Sequence, residues 1–152
     1  MKNILVNIIM SLFFGYILFN FEKVMESDFI IGFLTNNMIT ILIALLAINS
    51  ATLSIVLSKL KELIDKKGGN MAFVNTKKQM AISINEQIAL ICIASIFLIL
   101  SSSKLPIFMN FKDYFEVCVI SCFIYALTIL NDTAKSAFIP VSYTHLTLPT
   151  KR

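Results

Sequence analysis

Charged residues are missing from two long stretches of this sequence. None occurs between Asp28 and Lys59, and none occurs between Glu86 and Lys104. Charged residues make up only 14% of the chain, hydrophobic residues make up 57%, and the mean hydropathy is +0.82. Soluble domains usually carry about 25% charged residues, so this composition excludes a typical soluble protein. It predicts an integral membrane protein that is solvated by a lipid bilayer.

The residue types that most enzymes use for chemistry are also scarce. His145 is the only histidine, tryptophan is absent, and the three cysteines occur without the spacing of a metal site. The sequence contains no glycine-rich phosphate loop and no paired histidines. We therefore expect no enzymatic activity, no cofactor and no bound metal. Cys92, Cys118 and Cys122 are interpreted as small buried apolar side chains, with a reactive or ligand pair at Cys118 and Cys122 as the alternative.

Four apolar segments are long enough to cross a bilayer. They predict an all-α, multi-pass membrane protein with transmembrane helices over about residues 3–21, 29–57, 84–102 and 114–131. The first is interpreted as a retained anchor, because no small-residue cleavage site follows it. The second is uncharged as far as Ser58, which makes about 45 Å of helix for a hydrocarbon core of about 30 Å. This helix is therefore expected to tilt or to protrude.

A central antiparallel helical hairpin is predicted to extend into the cytoplasm through a stem and loop at about residues 58–83. Gly68 and Gly69 mark its turn, because glycine readily adopts the conformation that ends a helix. Positive residues resist translocation, so this basic stem predicts that both termini face the cytoplasm at the plasma (inner) membrane. We expect the stem to contact anionic lipid headgroups and not nucleic acid. Its lysines are Lys59, Lys61, Lys66, Lys67, Lys77 and Lys78.

Small residues form one face of the second helix, at alternating steps of four and three. Helices in lipid associate by close backbone approach at such residues, because lipid is as apolar as leucine. A matching face on the third helix predicts a register in which Ser58 meets Asn85 and Lys59 lies near Glu86. The alternative is a chance stripe, since alanine and serine are common in spanning helices. The predicted packing residues are Thr40, Ala44, Ala47, Ala51, Ser54 and Ser58, with Asn85, Ala89, Cys92 and Ser95 on the third helix.

Polar side chains within the apolar segments are candidate functional residues. Glu86 is a candidate proton or cation site, against the alternative of a solvated interfacial acid. Asn49 lies on the face of its helix opposite the small residues. It is predicted to join Asn7, Thr128 and Asn131 in a hydrogen-bonded layer between helices, with a conduction path lined by the same groups as the alternative.

Residues 141–152, VSYTHLTLPTKR, have a polar, threonine-rich composition unlike the preceding sequence. Back-translation gives a nucleotide sequence that resembles a transposase adapter used in preparing sequencing libraries, and the flanking Pro140 and Lys151 fit the same frame. We therefore predict that this stretch is translated adapter and that the native carboxyl end is missing. A genuine polar tail is the alternative. His145 is accordingly excluded as a candidate catalyst or ligand.

The sequence favours a small, non-enzymatic integral membrane protein. It is expected to act by helix association, with itself or with a membrane partner, through the small-residue face or the basic stem. A pore-forming or membrane-disrupting effector of the holin or toxin kind is the alternative, and the two differ in their effect on the membrane potential. A transporter or intramembrane enzyme would require a polar cavity around Glu86 or Asn49.

Overall fold

The computed structural model describes the backbone of residues 4–67 and 70–145, and the side chains of residues 4–62, 77, 78 and 80–135. All regular structure in this part of the chain is α-helical. The helices are α1 (Ile4–Val24), α2 (Phe29–Lys67), α3 (Asn70–Ser101), the short α4 (Pro106–Met109) and α5 (Lys112–His145).

Four of these helices are long and apolar enough to cross a membrane. The spanning windows are Ile4–Val24, Phe29–Glu62, Met80–Ser101 and Lys112–Lys135. They confirm the four predicted apolar segments. The 39 residues of α2 make about 58 Å of helix, which is well beyond a hydrocarbon core of about 30 Å.

The ends of the helices agree only in part with the predicted boundaries. Helix α2 continues into the predicted stem, and α3 begins at Asn70, so the stem is helical on both sides of the connection. The predicted turn at Gly68 and Gly69 lies outside the described residues. In the predicted adapter stretch, residues 141–145 belong to α5 and residues 146–152 lie outside the described part. The origin of that stretch stays a prediction.

Helix α5 is the centre of the bundle. It packs against α1, α2 and α3, while α2 and α3 also pack against each other and α1 contacts mainly α5. Many large apolar side chains point outward, as expected when the surrounding medium is lipid. The most deeply buried apolar residues are Leu34 and Met38 of α2, Ala94 of α3, and Val119, Ile120 and Ala126 of α5.

The α2–α3 contact differs from the predicted register, which is wrong for this pair of helices. Asn49 of α2 bonds Gln87 of α3, whereas Ser58 and Asn85, which were predicted to meet, are both exposed. The reason is that an unpaired amide in hydrocarbon costs several kcal/mol, so the two amides are buried together. The opposite faces of both helices are consequently left outside: Thr40, Ala44, Ala47, Ala51, Ser54 and Ser58 on α2, and Asn85, Ala89 and Cys92 on α3, are exposed, with Ser95 half-buried.

Helices α1 and α5 approach closely at a pair of small residues. A Cβ atom built on Gly15 would lie 2.1 Å from the hydroxyl oxygen of Ser121 and 3.1 Å from its Cα. Gly15 therefore permits a backbone contact that any larger residue would obstruct. This close approach fits the way in which helices associate in lipid, although the sequence did not single out either residue.

The two ends of the bundle differ in the helix termini that they contain. At one end α1 begins, α2 is connected to α3 and α5 ends, and we call it the stem end. We call the opposite end the far end. At the far end, Glu22 of α1 is buried and accepts the backbone N–H groups of Ile30 and Ile31, the latter at 3.3 Å. These are among the first amides of α2, which lack partners within the helix. An exposed salt bridge between Lys23 and Asp113 joins α1 to α5 at the same end. Charged side chains thus join α1 to both α2 and α5 at the far end.

Candidate functional site: a polar layer and an adjoining groove

Apart from the Lys23–Asp113 pair at the far end, the described hydrogen bonds between side chains of different helices lie in the half of the bundle nearest the stem end. The innermost joins α2 to α3, where Asn49 Nδ2 donates to Gln87 Oε1 at 3.0 Å. The two residues are 0% and 3% exposed. Asn49 Oδ1 and Gln87 Nε2 have no hydrogen-bond partner within the described residues. Within the described residues, one acceptor and one donor of this buried pair are therefore left without a partner.

A second hydrogen bond joins α3 to α5. The hydroxyl of Tyr125 donates to Glu86 Oε1 at 3.2 Å, and both side chains are half-buried. Glu86 belongs to the candidate span Met80–Ser101 of α3, six residues from its first residue. The predicted proximity of Lys59 to Glu86 is not found, because Glu86 faces α5 instead.

Two further contacts lie closer to the stem end. Asn7 Nδ2 of α1 donates to Asp132 Oδ2 of α5 at 3.4 Å. The hydroxyls of Ser83 on α3 and Thr133 on α5 are 3.5 Å apart, and either can donate. Together with the two inner bonds, these contacts link all four long helices in what we call the polar layer.

The polar layer contains two of the four residues that were predicted for it, Asn7 and Asn49. Thr128 instead donates to the backbone oxygen of Ile124 in its own helix, and Asn131 is exposed. Sequence reasoning missed the partners of the predicted residues. One signal was present, since α2 carries Asn49 within its uncharged run and α3 carries Gln87 at the start of its own. The missed residues are Ser83, Gln87, Tyr125, Asp132 and Thr133.

A groove adjoins the polar layer on one side of the bundle. It has a volume of about 380 Å³ and lies between α1, α3 and α5. Tyr125 belongs to both features, because its ring lines the groove and its hydroxyl bonds Glu86. The other lining residues are Ile8, Ser11 and Leu12 of α1, Leu90, Ile93 and Phe97 of α3, and Cys118, Ser121 and Cys122 of α5.

The cysteines are free thiols in three different environments. Cys122 is buried and Cys118 is half-buried, and both line the groove. Cys92 is exposed, so its interpretation as a buried side chain is wrong. Within the described part of the chain, no group of three or more histidine, cysteine or acidic side chains is arranged to hold a metal ion.

The predicted basic stem is described only in part. Lys59, Lys61, Lys77 and Lys78 are exposed, as a contact with lipid headgroups would require. The side chains of Lys66 and Lys67 lie outside the described residues. Contact of the stem with anionic headgroups stays a prediction.

Comparison of the chain with protein-family models, with curated proteins and with solved structures gives no match.

Proposed function

We propose that the chain is a small, non-enzymatic integral membrane protein that acts by helix association, and that the exposed small-residue face of α2 binds a second copy. This face consists of Thr40, Ala44, Ala47, Ala51, Ser54 and Ser58, none of which is covered by another helix of the chain. That exposure is the observation that carries the proposal.

The dimensions of the small-residue face suit a contact between spanning helices. From Thr40 to Ser58 it extends for about 27 Å, close to the thickness of a hydrocarbon core of about 30 Å. The hydroxyl of Ser54 donates to the backbone oxygen of Ser50 at 2.9 Å, and that of Ser58 donates to Ser54 at 3.0 Å. Since these donors are satisfied within the helix, a second backbone can approach without burying unpaired groups.

A second copy of the chain is the proposed partner, because it would present the same small-residue face to the contact. Copies inserted in one membrane with one orientation can meet about a two-fold axis, in which each small-residue face contacts its equivalent. The membrane is proposed to be the plasma (inner) membrane, with both termini in the cytoplasm. The exposed lysines at the stem end support this orientation, because positive residues remain on the cytoplasmic side.

Disulfide cross-linking in membranes tests the contact. In a chain whose native cysteines are replaced by alanine, Ala51→Cys is expected to give a covalent dimer on mild oxidation. Thr52→Cys is the matched control, because Thr52 is half-buried on the same helix and lies about 100° from Ala51 around the helix axis, more than a quarter turn. Equal cross-linking at both positions, or none at Ala51, would contradict the proposed face.

A bulky substitution provides the complementary test. Ala47→Leu is expected to weaken dimerisation, since the added side chain separates the backbones, and it leaves the fold of each copy intact because Ala47 is exposed. Expression of the unaltered chain is expected to leave the membrane potential intact. Collapse of the potential would instead favour the pore-forming alternative.

A further inference from the structure

We propose that the groove between α1, α3 and α5 binds an amphiphilic organic cation, with the apolar part of the ligand in the groove and its positive charge at the carboxylate of Glu86. This binding activity is separate from the proposed self-association. The groove is lined by α1, α3 and α5, whereas the small-residue face belongs to α2.

The size and lining of the groove suit a compact apolar ligand. Its volume of about 380 Å³ is within the range of about 300–1,000 Å³ that is usual for small-molecule sites. The walls are formed mainly by aliphatic and aromatic side chains and by two cysteines. The hydroxyl of Ser121 is used within its own helix, where it donates to the backbone oxygen of Val117 at 2.7 Å. The body of the groove therefore offers burial but little polar recognition.

The charge lies at the end of the groove nearest the stem. Glu86 precedes the lining residues Leu90 and Ile93 by four and seven positions, so all three lie on one face of α3. Glu86 is not itself one of the lining residues, but its carboxylate accepts the hydroxyl of Tyr125, which is one of them. The carboxylate therefore lies next to the groove, one helical turn from Leu90.

This arrangement selects for the sign of the ligand's charge. A carboxylate within a membrane span is strongly stabilised by an opposite charge, because the surrounding dielectric constant is low. The bond from Tyr125 occupies only one of about four acceptor positions of a carboxylate, so Glu86 can accept another contact. The described lysines at this end are exposed and lie further along their helices toward the end of the stem: Lys59, Lys61, Lys77, Lys78 and Lys135. An anionic ligand would be repelled by Glu86, and a neutral ligand could gain a hydrogen bond but no charge pairing.

Binding of tetraphenylphosphonium to the full chain, purified in detergent, tests the charge requirement. We expect saturable binding of this cation and none of tetraphenylborate, which has nearly the same shape and the opposite charge. Glu86→Gln should weaken binding of the cation by about tenfold or more, since it removes the charge and retains the shape. Asp28→Asn, an exposed carboxylate at the far end, should leave binding unchanged.

A steric variant tests the location. Ile93→Trp should obstruct the groove and weaken binding, whereas Ile88→Trp should not. The two isoleucines lie on the same helix and are 46% and 47% exposed, but only Ile93 lines the groove. Thermal unfolding of each variant verifies that it is folded. Equal affinity for the two probes, undiminished binding in folded Glu86→Gln, or absence of cation binding would each overturn the proposal.

Discussion

At the scale of single residues, Gly15 allows α1 to approach α5 closely, because it has no side chain to meet Ser121. Gly15→Ala would place a methyl group against the side chain and backbone of Ser121, so one helix must shift. We expect a loss of about 1–3 kcal/mol in the free energy of unfolding, the usual cost of overpacking. The measurement is reversible unfolding by sodium dodecyl sulfate in mixed micelles.

Gly32→Ala is the control for Gly15→Ala, because a Cβ atom at Gly32 meets nothing within 4 Å. It should stabilise the chain by about 0.5–1 kcal/mol, since alanine loses less backbone entropy than glycine in a helix. Similar effects of the two substitutions would show that the close contact of Gly15 with Ser121 does not determine the stability of the chain.

The contacts of Glu22 predict that its replacement lowers the free energy of unfolding. Its carboxylate oxygens accept the amides of both Ile30 and Ile31, at the positive end of the α2 dipole. Glu22→Gln leaves one acceptor in place of two and removes the charge, so we expect a loss of about 1–3 kcal/mol in the free energy of unfolding. Glu26→Gln, at an exposed position in the adjoining turn, should have little effect. An equal loss in both variants would contradict the role of Glu22.

At the scale of helices, the Asn49–Gln87 pair determines how α2 faces α3. Asn49→Leu alone leaves Gln87 buried without a partner, and we expect it to destabilise the chain by about 1–2 kcal/mol. Replacing both residues by leucine removes the two unsatisfied atoms as well as the bond, so the double variant should recover most of that loss. A double-mutant cycle measures the coupling. Additive losses would mean that the two amides do not interact.

The same pair shows what the sequence could predict and what it could not. The four spans were predictable because long uncharged runs such as residues 29–58 are suited to the hydrocarbon of a bilayer and not to water. The orientation of each helix about its axis was not, because in lipid an isoleucine is equally stable facing outward or inward. Asn49 was recognised as polar and placed opposite the small residues, but its partner Gln87 was overlooked. Pairing the amide within the uncharged run of α2 with the one that begins the uncharged run of α3 would have given the observed contact.

The groove could not be predicted from the sequence for a different reason. Glu86 was recognised as a candidate cation site, but the residues that line the groove come from three helices and form no local pattern. The decisive contact joins Glu86 to Tyr125 across 39 positions of the chain. Apolar residues such as Ile8 and Phe97 carry no sequence signal that separates a groove wall from a surface facing lipid.

At the scale of the whole molecule, the charges are distributed unequally between the two ends. The stem end carries the exposed Lys59, Lys61, Lys77 and Lys78, whereas the described lysines of the far end are Lys23, Lys104 and Lys112. Two of the far-end lysines pair with acids, since Lys23 bonds Asp113 and Lys112 lies 3.5 Å from Glu116. Because it is the number of positive residues that biases orientation, we expect the lysines of the stem end to determine it, and their removal should have a measurable effect.

Labelling with a membrane-impermeant maleimide tests the orientation of the chain. In a chain whose native cysteines are replaced by alanine, Ser102→Cys at the exposed far end should react in intact cells, whereas Lys61→Cys should react only after permeabilisation. Replacing Lys59, Lys77 and Lys78 by glutamine should expose Lys61→Cys in a fraction of the molecules, because the charge that resists translocation is reduced. Replacing the same lysines by arginine retains the charge and should leave the labelling unchanged. Labelling of Lys61→Cys in intact cells, in a chain that retains Lys59, Lys77 and Lys78, would mean that the stem lies outside. The proposed cytoplasmic location of the termini would then be wrong.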